Sequence, residues 1–294
     1  MFSRIFGKFL VEQNLITEEQ LGEVFDFQKS VRVKLGLIAV SERLMTEEQT
    51  SRVNALQAVE DKRFGDIAVE QGFLTDRQVE RLLKLQGNPY LVFVQAMTEK
   101  GIMTLEDVEN AMNLYQKTYG FTSTDMEDLR SGETDRVVPL FVRSKNPFAG
   151  KLAGVAIRTI IRLIDSEISV GISYEADRFE FENIAVQFAE GEHHIMLGLA
   201  GEGNNLLTIA DVFAREEFDG MNEFSFDAIC EFINCINGLN ASALSTEGVE
   251  IDMLPPTYYH EGCIKTGQKM LIIPVEIKNR KVRIVIAVDM EVNI

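Results

Sequence analysis

Asp227, Glu231 and Asn234 are spaced by four and then three residues within the stretch 226–245, FDAICEFINCINGLNASALS. At about 100° per residue, Phe226, Ile229, Ile233, Ile236, Ala243 and Leu244 fall on one stripe of a helix. Asp227, Glu231 and Asn234 fall on the opposite stripe, which Gly238 continues. A carboxylate and an amide side by side, with no cation near them in sequence, can receive a partner's cationic group or orient a water. The plain alternative is a solvated helix face. The surroundings favour a partner: between Glu216 and Ile264 there are ten acidic residues and no Lys or Arg. A local field of one sign steers a basic partner and repels nucleic acid. Pro255 and Pro256 follow the helix and end any regular element there.

This arrangement resembles the CheC/CheX/FliY family of chemotaxis phosphatases, in which a D/S-x-x-x-E-x-x-N helix followed by a proline marks the active site. The matching positions are Asp227, Glu231, Asn234 and then Pro255 or Pro256. The spacer before the proline is slightly short, and Gly238-Leu239-Asn240 stands where relatives have Gly-Asn directly. The resemblance implies hydrolysis of the phosphoaspartate of a CheY-like response regulator. Asn234 would insert beside the phosphoryl group, Glu231 would pair with the receiver's active-site Lys, and Asp227 would add a secondary contact. Mg2+ would come from the receiver, so no intrinsic cofactor is implied. It also implies a homodimer.

Composition sets outer bounds. The chain has 294 residues, long enough for two domains with separate cores, and its hydrophobic fraction of 46% is that of a globular protein. A net charge of −17 excludes general nucleic-acid binding. Cys230, Cys235 and Cys263 form no C-x-x-C, so neither a disulfide framework nor a zinc site is expected. Cys230 and Cys235, on the flanks of the motif helix, read as packing residues. No apolar run reaches the roughly 18 residues of a membrane span. The expectation is a cytoplasmic protein with no membrane insertion.

The first 118 residues read as helical repeats. Thr17, Thr46, Thr75 and Thr104 are 29 residues apart, each after an apolar pair and each followed three residues later by Gln or Asp. That is a capping-box signature, so each Thr should start a helix, with a shorter helix before it. Four such hairpins must stack to bury their apolar faces.

The stretches 34–57 and 63–86, separated by five residues, resemble the paired motifs of the MshEN domain of type II secretion and type IV pilus ATPases. Tandem copies in that family bind cyclic di-GMP. The resemblance implies a ligand site at Lys34, Leu35, Gly36, Gln57, Arg63, Phe64, Gly65 and Gln86. The chemistry suits it: the glycines admit close backbone approach, and Arg63 can fork onto a guanine edge or phosphate. Lys34 replaces Arg in the first copy and cannot bond bidentately. The alternative is that these residues only pack the repeat. The fourth repeat has Val94 where the Gly would be and reads as a cap.

Residues 119–145 are polar and turn-rich, with VVPLFV a short strand or extended connection, and read as a linker. Residues 146–294 read as an α+β domain. Asn146-Pro147-Phe148 introduces a helix, ISVGISY (168–174) alternates as a half-buried strand, and strands follow around IAVQFAE and HHIMLGLAG. A hairpin closes the domain through an Asn279-Arg280 turn. The order is that of a CheX-like fold, its sheet covered by helices, here of the single-site kind because GKLAGVAIRTIIRL carries no second E-x-x-N. His193 and His194 point to opposite sides and make a poor metal pair, and His260 is given no role. No nucleotide-binding or nucleophile-elbow motif is present. Two functions from different classes remain: a receiver phosphatase, and a non-catalytic binding or scaffold protein whose repeats bind cyclic di-GMP or a motility or secretion partner.

Overall fold

Each of the four threonines caps a helix. In the computed structural model, which describes residues 1–30, 32–60 and 62–294, the Thr17, Thr46, Thr75 and Thr104 hydroxyls accept from the backbone N–H of Gln20, Gln49, Gln78 and Asp107. Those four side chains accept from the Thr N–H in return, so two otherwise unpaired donors are satisfied at every start. The helices follow in pairs: α1 (Phe2–Glu12) and α2 (Glu18–Gln28), α3 (Leu35–Ser41) and α4 (Glu47–Gln57), α5 (Phe64–Glu70) and α6 (Asp76–Lys84), α7 (Pro89–Glu99) and α8 (Leu105–Tyr119). Glycine sets the closeness of several pairs. A Cβ at Gly36 would lie 2.5 Å from Thr50 Cγ2, one at Gly65 would lie 2.8 Å from Val79 Cγ1, and one at Gly7 would strike Leu21. Phe2, Phe6 and Phe9 of α1 meet Phe93 of α7 and Tyr115 of α8 in an aromatic core, Phe9 and Tyr115 edge-to-face at 4.8 Å.

The expected linker is helical. Thr122 and Asp125 form a further capping box at the start of α9 (Ser123–Ser131), and Gly132 at φ +67° closes it. The polarity of this stretch is that of a capped amphipathic helix with Met126 and Leu129 buried. VVPLFV is no strand either, but lies in α10 (Thr134–Phe141), which buries Val137, Val138 and Phe141. The chain divides into a helical unit, from Phe2 to Glu133, and a sheet-containing unit, from Thr134 to Ile294.

The second unit contains α11 (Pro147–Leu163), β1 (Ser169–Val170), β2 (Tyr174–Gly191), β3 (Ile195–Gly201), α12 (Leu207–Ala214), α13 (Glu223–Thr246), β4 (Ile251–Met253), β5 (Thr257–Ile277), β6 (Arg280–Val288) and β7 (Val292–Asn293). Asn146 caps α11 by accepting from Phe148 and Ala149, with Pro147 in its first turn. ISVGISY is not one strand. It breaks at Gly171, whose N–H donates to Pro274 O at 2.8 Å: Ser169–Val170 pairs with β5 as β1, and Tyr174 already belongs to β2. The closing hairpin pairs Ile277 with Arg280. Its turn is therefore Lys278-Asn279, not Asn279-Arg280, and both turn residues have positive φ, +48° and +65°. That is the conformation a two-residue turn between twisted strands requires.

All pairings are antiparallel, in the order β1-β5-β6-β3-β2-β4, and β2 also pairs with β5. Leu271 and Ile272 of β5 pair with β6 on one side and with β2 on the other, so the ladder β5–β6–β3–β2 closes on itself. One face holds Ile184, Val186, Met196, Ile264, Ile272 and Val285 in a buried cluster. Residues of the other parity, including Ala185, Gln187 and Ala189, face the side on which α11 and α13 pack. Among the described residues no helix is long and apolar enough to cross a membrane.

Candidate functional site

Asn222 starts the motif helix. Its side chain accepts from Ser225 N–H while its own N–H donates to Ser225 Oγ at 2.8 Å, which fixes the first turn of α13. Phe226, Ile229, Ile233, Ile236 and Leu244 are buried as the periodicity predicts. Ala243 is exposed instead, although the adjacent Leu244 is buried. Cys230 is buried, but Cys235 is exposed and does not pack.

Asp227 and Glu231 are exposed and Asn234 is half-buried, so the three lie on one accessible edge of α13. Among the described residues neither carboxylate has an ion-pair partner. Phe224, seven positions before Glu231 and therefore nearly above it, is 73% exposed. The edge presents an apolar residue beside uncompensated negative charge. The Cys230 thiol between them is pushed up to about 11, by burial first and then by Asp227 and Glu231. It stays neutral near pH 7 and is no nucleophile.

Asn234 is held from below. Gln187, on β2 and only 1% exposed, donates through Nε2 to Asn234 Oδ1 at 2.9 Å and to the backbone carbonyl of Leu254 at 2.9 Å. Its Oε1 accepts from Asn237 Nδ2 at 2.9 Å. Leu254 N–H donates in turn to Phe188 O at 2.8 Å. One side chain thus ties the motif helix to the residue before Pro255; the prolines make no turn but interrupt the edge of β2 between Met253, opposite Ala189, and Thr257, opposite Val186, and this segment and the helix become neighbours despite the sequence between them. Asn237 Oδ1 is buried with no partner, a cost of about 1–3 kcal/mol. Further along, Tyr258 stacks on Phe226 at 4.4 Å and His260 meets the same ring edge-to-face at 4.8 Å. His260 Nδ1 also bonds Asn183 Oδ1 at 2.8 Å, so its role is to pack the strand after the prolines against the helix.

The three α13 residues expected from the sequence lie on one edge of the helix, and the sequence reading did not single out Gln187 or Asn237. A signal existed: Gln187 is the lone polar residue inside the apolar run IAVQF, and a buried polar group needs partners.

The residues expected to bind a dinucleotide are not all brought together. Lys34, Leu35, Gly36, Gln57 and Phe64 line one cleft of about 820 Å³ in the helical unit, with Glu47, Glu99 and Asp107 also on its wall. Arg63, Gly65 and Gln86 do not line it. The Arg63 side chain is 93% exposed, 4.0 Å from Asp66. Gln86 is engaged by Val33 O and by Arg32. Lys34 pairs with Glu99 at 2.6 Å, and Gly36 and Gly65 are occupied in helix packing. His193 bonds Asp289 Oδ2 at 2.7 Å and lies against Phe148. No group of three or more metal-ligating side chains occurs among the described residues.

No protein-family model matches the chain, and no curated protein matches it. Several solved structures do. A CheC-like superfamily protein from Shewanella sp. PV-4 aligns with a TM-score of 0.43 at 18% identity, over 49% of this chain and 98% of its own. CheX from Desulfovibrio desulfuricans aligns with a TM-score of 0.43 at 14% identity, over 49% and 99%. The CheX–CheY–BeF3–Mg2+ complex from Borrelia burgdorferi aligns with a TM-score of 0.40 at 15% identity, over 49% and 97%.

Proposed function

We propose that this chain hydrolyses the phosphoaspartate of a CheY-like receiver domain, with Glu231 and Asn234 as its working residues. The observation that carries the reading is the accessible edge of α13. There a carboxylate with no ion-pair partner among the described residues, an immobilised amide and the Pro255-Pro256 segment lie together. An acyl phosphate is already labile, so a catalyst needs mainly to position groups and stabilise charge. Asn234 places its amide beside the phosphoryl group and the in-line water. Glu231 pairs with the receiver's lysine and fixes the dock, and Asp227 extends the acidic surface. The receiver supplies the Mg2+ that neutralises the phosphoryl oxygens. No side chain of this chain acts as a general base. The reading includes a homodimer, which sedimentation velocity tests directly.

The test is phosphate release from a phosphorylated CheY-type receiver with wild type, Asn234→Ala and Glu231→Ala/Asn234→Ala. Asn234→Ala is expected to lower the rate by about 10²-fold, the scale for loss of one positioning or charge-stabilising group. Unchanged release in the double variant refutes the site.

A second reading, binding of cyclic di-GMP by the helical unit, has the cleft at Lys34 and Gln57 in its favour. Against it, the cleft wall carries Glu47, Glu99 and Asp107 to the single Lys34, an unfavourable field for a dianion. Calorimetry with the dinucleotide on wild type and Lys34→Ala decides it. No heat with wild type removes this reading.

A further inference from the structure

An amide side chain can meet a substrate with either end, and which end Asn234 offers is decided beneath it. The Leu254 carbonyl can only accept, so Gln187 must turn Nε2 towards it. That nitrogen's second hydrogen goes to Asn234, which must therefore present Oδ1 inward. The opposite end of Gln187 agrees, since Oε1 receives Asn237 Nδ2. With Gln187 fully buried and all its bonding groups engaged, the orientation follows from the network as a whole rather than from one assignment. Asn234 Nδ2 is left facing outward, with no protein acceptor among the described residues.

We propose that Gln187 is a positioning residue that locks Asn234 as a hydrogen-bond donor towards the phosphoryl oxygens. This rests on the phosphatase reading. As the water oxygen bonds to phosphorus, the bond to the aspartyl oxygen breaks and the carboxylate leaves with the electron pair; the water's proton passes to solvent. Negative charge is spread over the equatorial oxygens at that point, where a fixed donor stabilises it and a fixed carbonyl oxygen would oppose it. The same Gln187 holds the residue before Pro255, so the donor and the proline segment keep a constant separation.

Two near-isosteric variants test the lock. Asn234→Asp keeps an oxygen for Gln187 but removes the outward donor, and is expected to be as impaired as Asn234→Ala. Gln187→Glu removes the inward donor, so Asn234 turns its oxygen outward. The expected result is a kcat lower by about 10- to 100-fold with KM changed by less than about twofold. A general loosening of the fold would move KM as well; thermal stability falls on either reading, because a carboxyl at this buried site also loses the bond to the Leu254 carbonyl. Wild-type kcat in Gln187→Glu, or an Asn234→Asp clearly more active than Asn234→Ala, overturns the proposal. Independently, ¹⁵N NMR of the wild-type full chain should show slow solvent exchange for the Gln187 side-chain NH2 and fast exchange for that of Asn234; the reverse order overturns the lock. If wild type accelerates no receiver, the phosphatase reading falls, and the exchange rates alone decide the orientation.

Discussion

Gly238→Ala should strengthen the fold and weaken the dock. Gly238 lies well inside α13, and a Cβ built there meets nothing within 4 Å. No overpacking offsets the gain in helix propensity, about 0.8–1 kcal/mol for Ala over Gly in a helix interior. For a unit the size of Thr134–Ile294 that corresponds to a rise of about 2–4 °C in Tm. A glycine that costs stability without serving internal packing leaves a flat place on the exposed stripe, one turn beyond Asn234. A partner element can lie directly against it. The added methyl should therefore raise KM for the phosphorylated receiver several-fold while leaving kcat close to wild type. Scanning calorimetry of the full chain and steady-state phosphate release make the comparison. A lower Tm contradicts the open space around Gly238. A higher Tm with unchanged KM places the partner contact elsewhere on α13 and refutes the docking face.

Two further outcomes follow from the packing and from one raised thiol. Gly36→Ala should destabilise the helical unit by about 1–3 kcal/mol, because its Cβ would stand 2.5 Å from Thr50 Cγ2; Gly36→Ala/Thr50→Ala should recover most of the loss, and simple additivity in denaturant melts would refute the contact. Cys230, raised from 9.0 to about 11 in the fold, favours the folded state while its thiol is neutral. That contribution is full below the unfolded value and is lost as pH rises from about 9 to 11. Alkylation of native protein should accordingly label the exposed Cys235 well before Cys230, and equal rates near pH 8 would contradict the assignment.

The helix starts were legible because capping is local: Thr17 and Gln20 lie within one turn, and so do the equivalent pairs that follow. The same rule, applied to Thr122 and Asp125, would have turned the expected linker into α9; composition was read there in place of spacing. The edge of Asp227, Glu231 and Asn234 was legible for a related reason, since helix periodicity fixes which side chains share a side. Gln187 was not, because its partners are distant in sequence, and only the packing of α13 on β2 and the pairing of β2 with β4 bring them within 2.9 Å. The ring closed by β2 and β5 is non-local in the same way: Tyr174 pairs with Ile272, far along the chain and after all of β3, α12, α13 and β4.

The glycines show where one residue type supports two readings. Gly36 and Gly65 suit close approach of a ligand, yet the atoms that crowd them belong to the protein itself, Thr50 and Phe64 at Gly36 and Val79 at Gly65. A sequence specifies that something comes close at these positions, and only the fold says what. At Gly238 no described residue comes within 4 Å of a Cβ built there, so packing within the fold does not account for the glycine. The same contrast separates two amides of α13. Asn237 is turned inward and spends its donor on Gln187, whereas among the described residues Asn234 is bound through its oxygen alone. Among the described residues the exposed edge of α13 thus keeps the Asn234 amide donor and the Asp227 and Glu231 carboxylates without partners, and a partner with a basic group and an anion to be stabilised would satisfy them together.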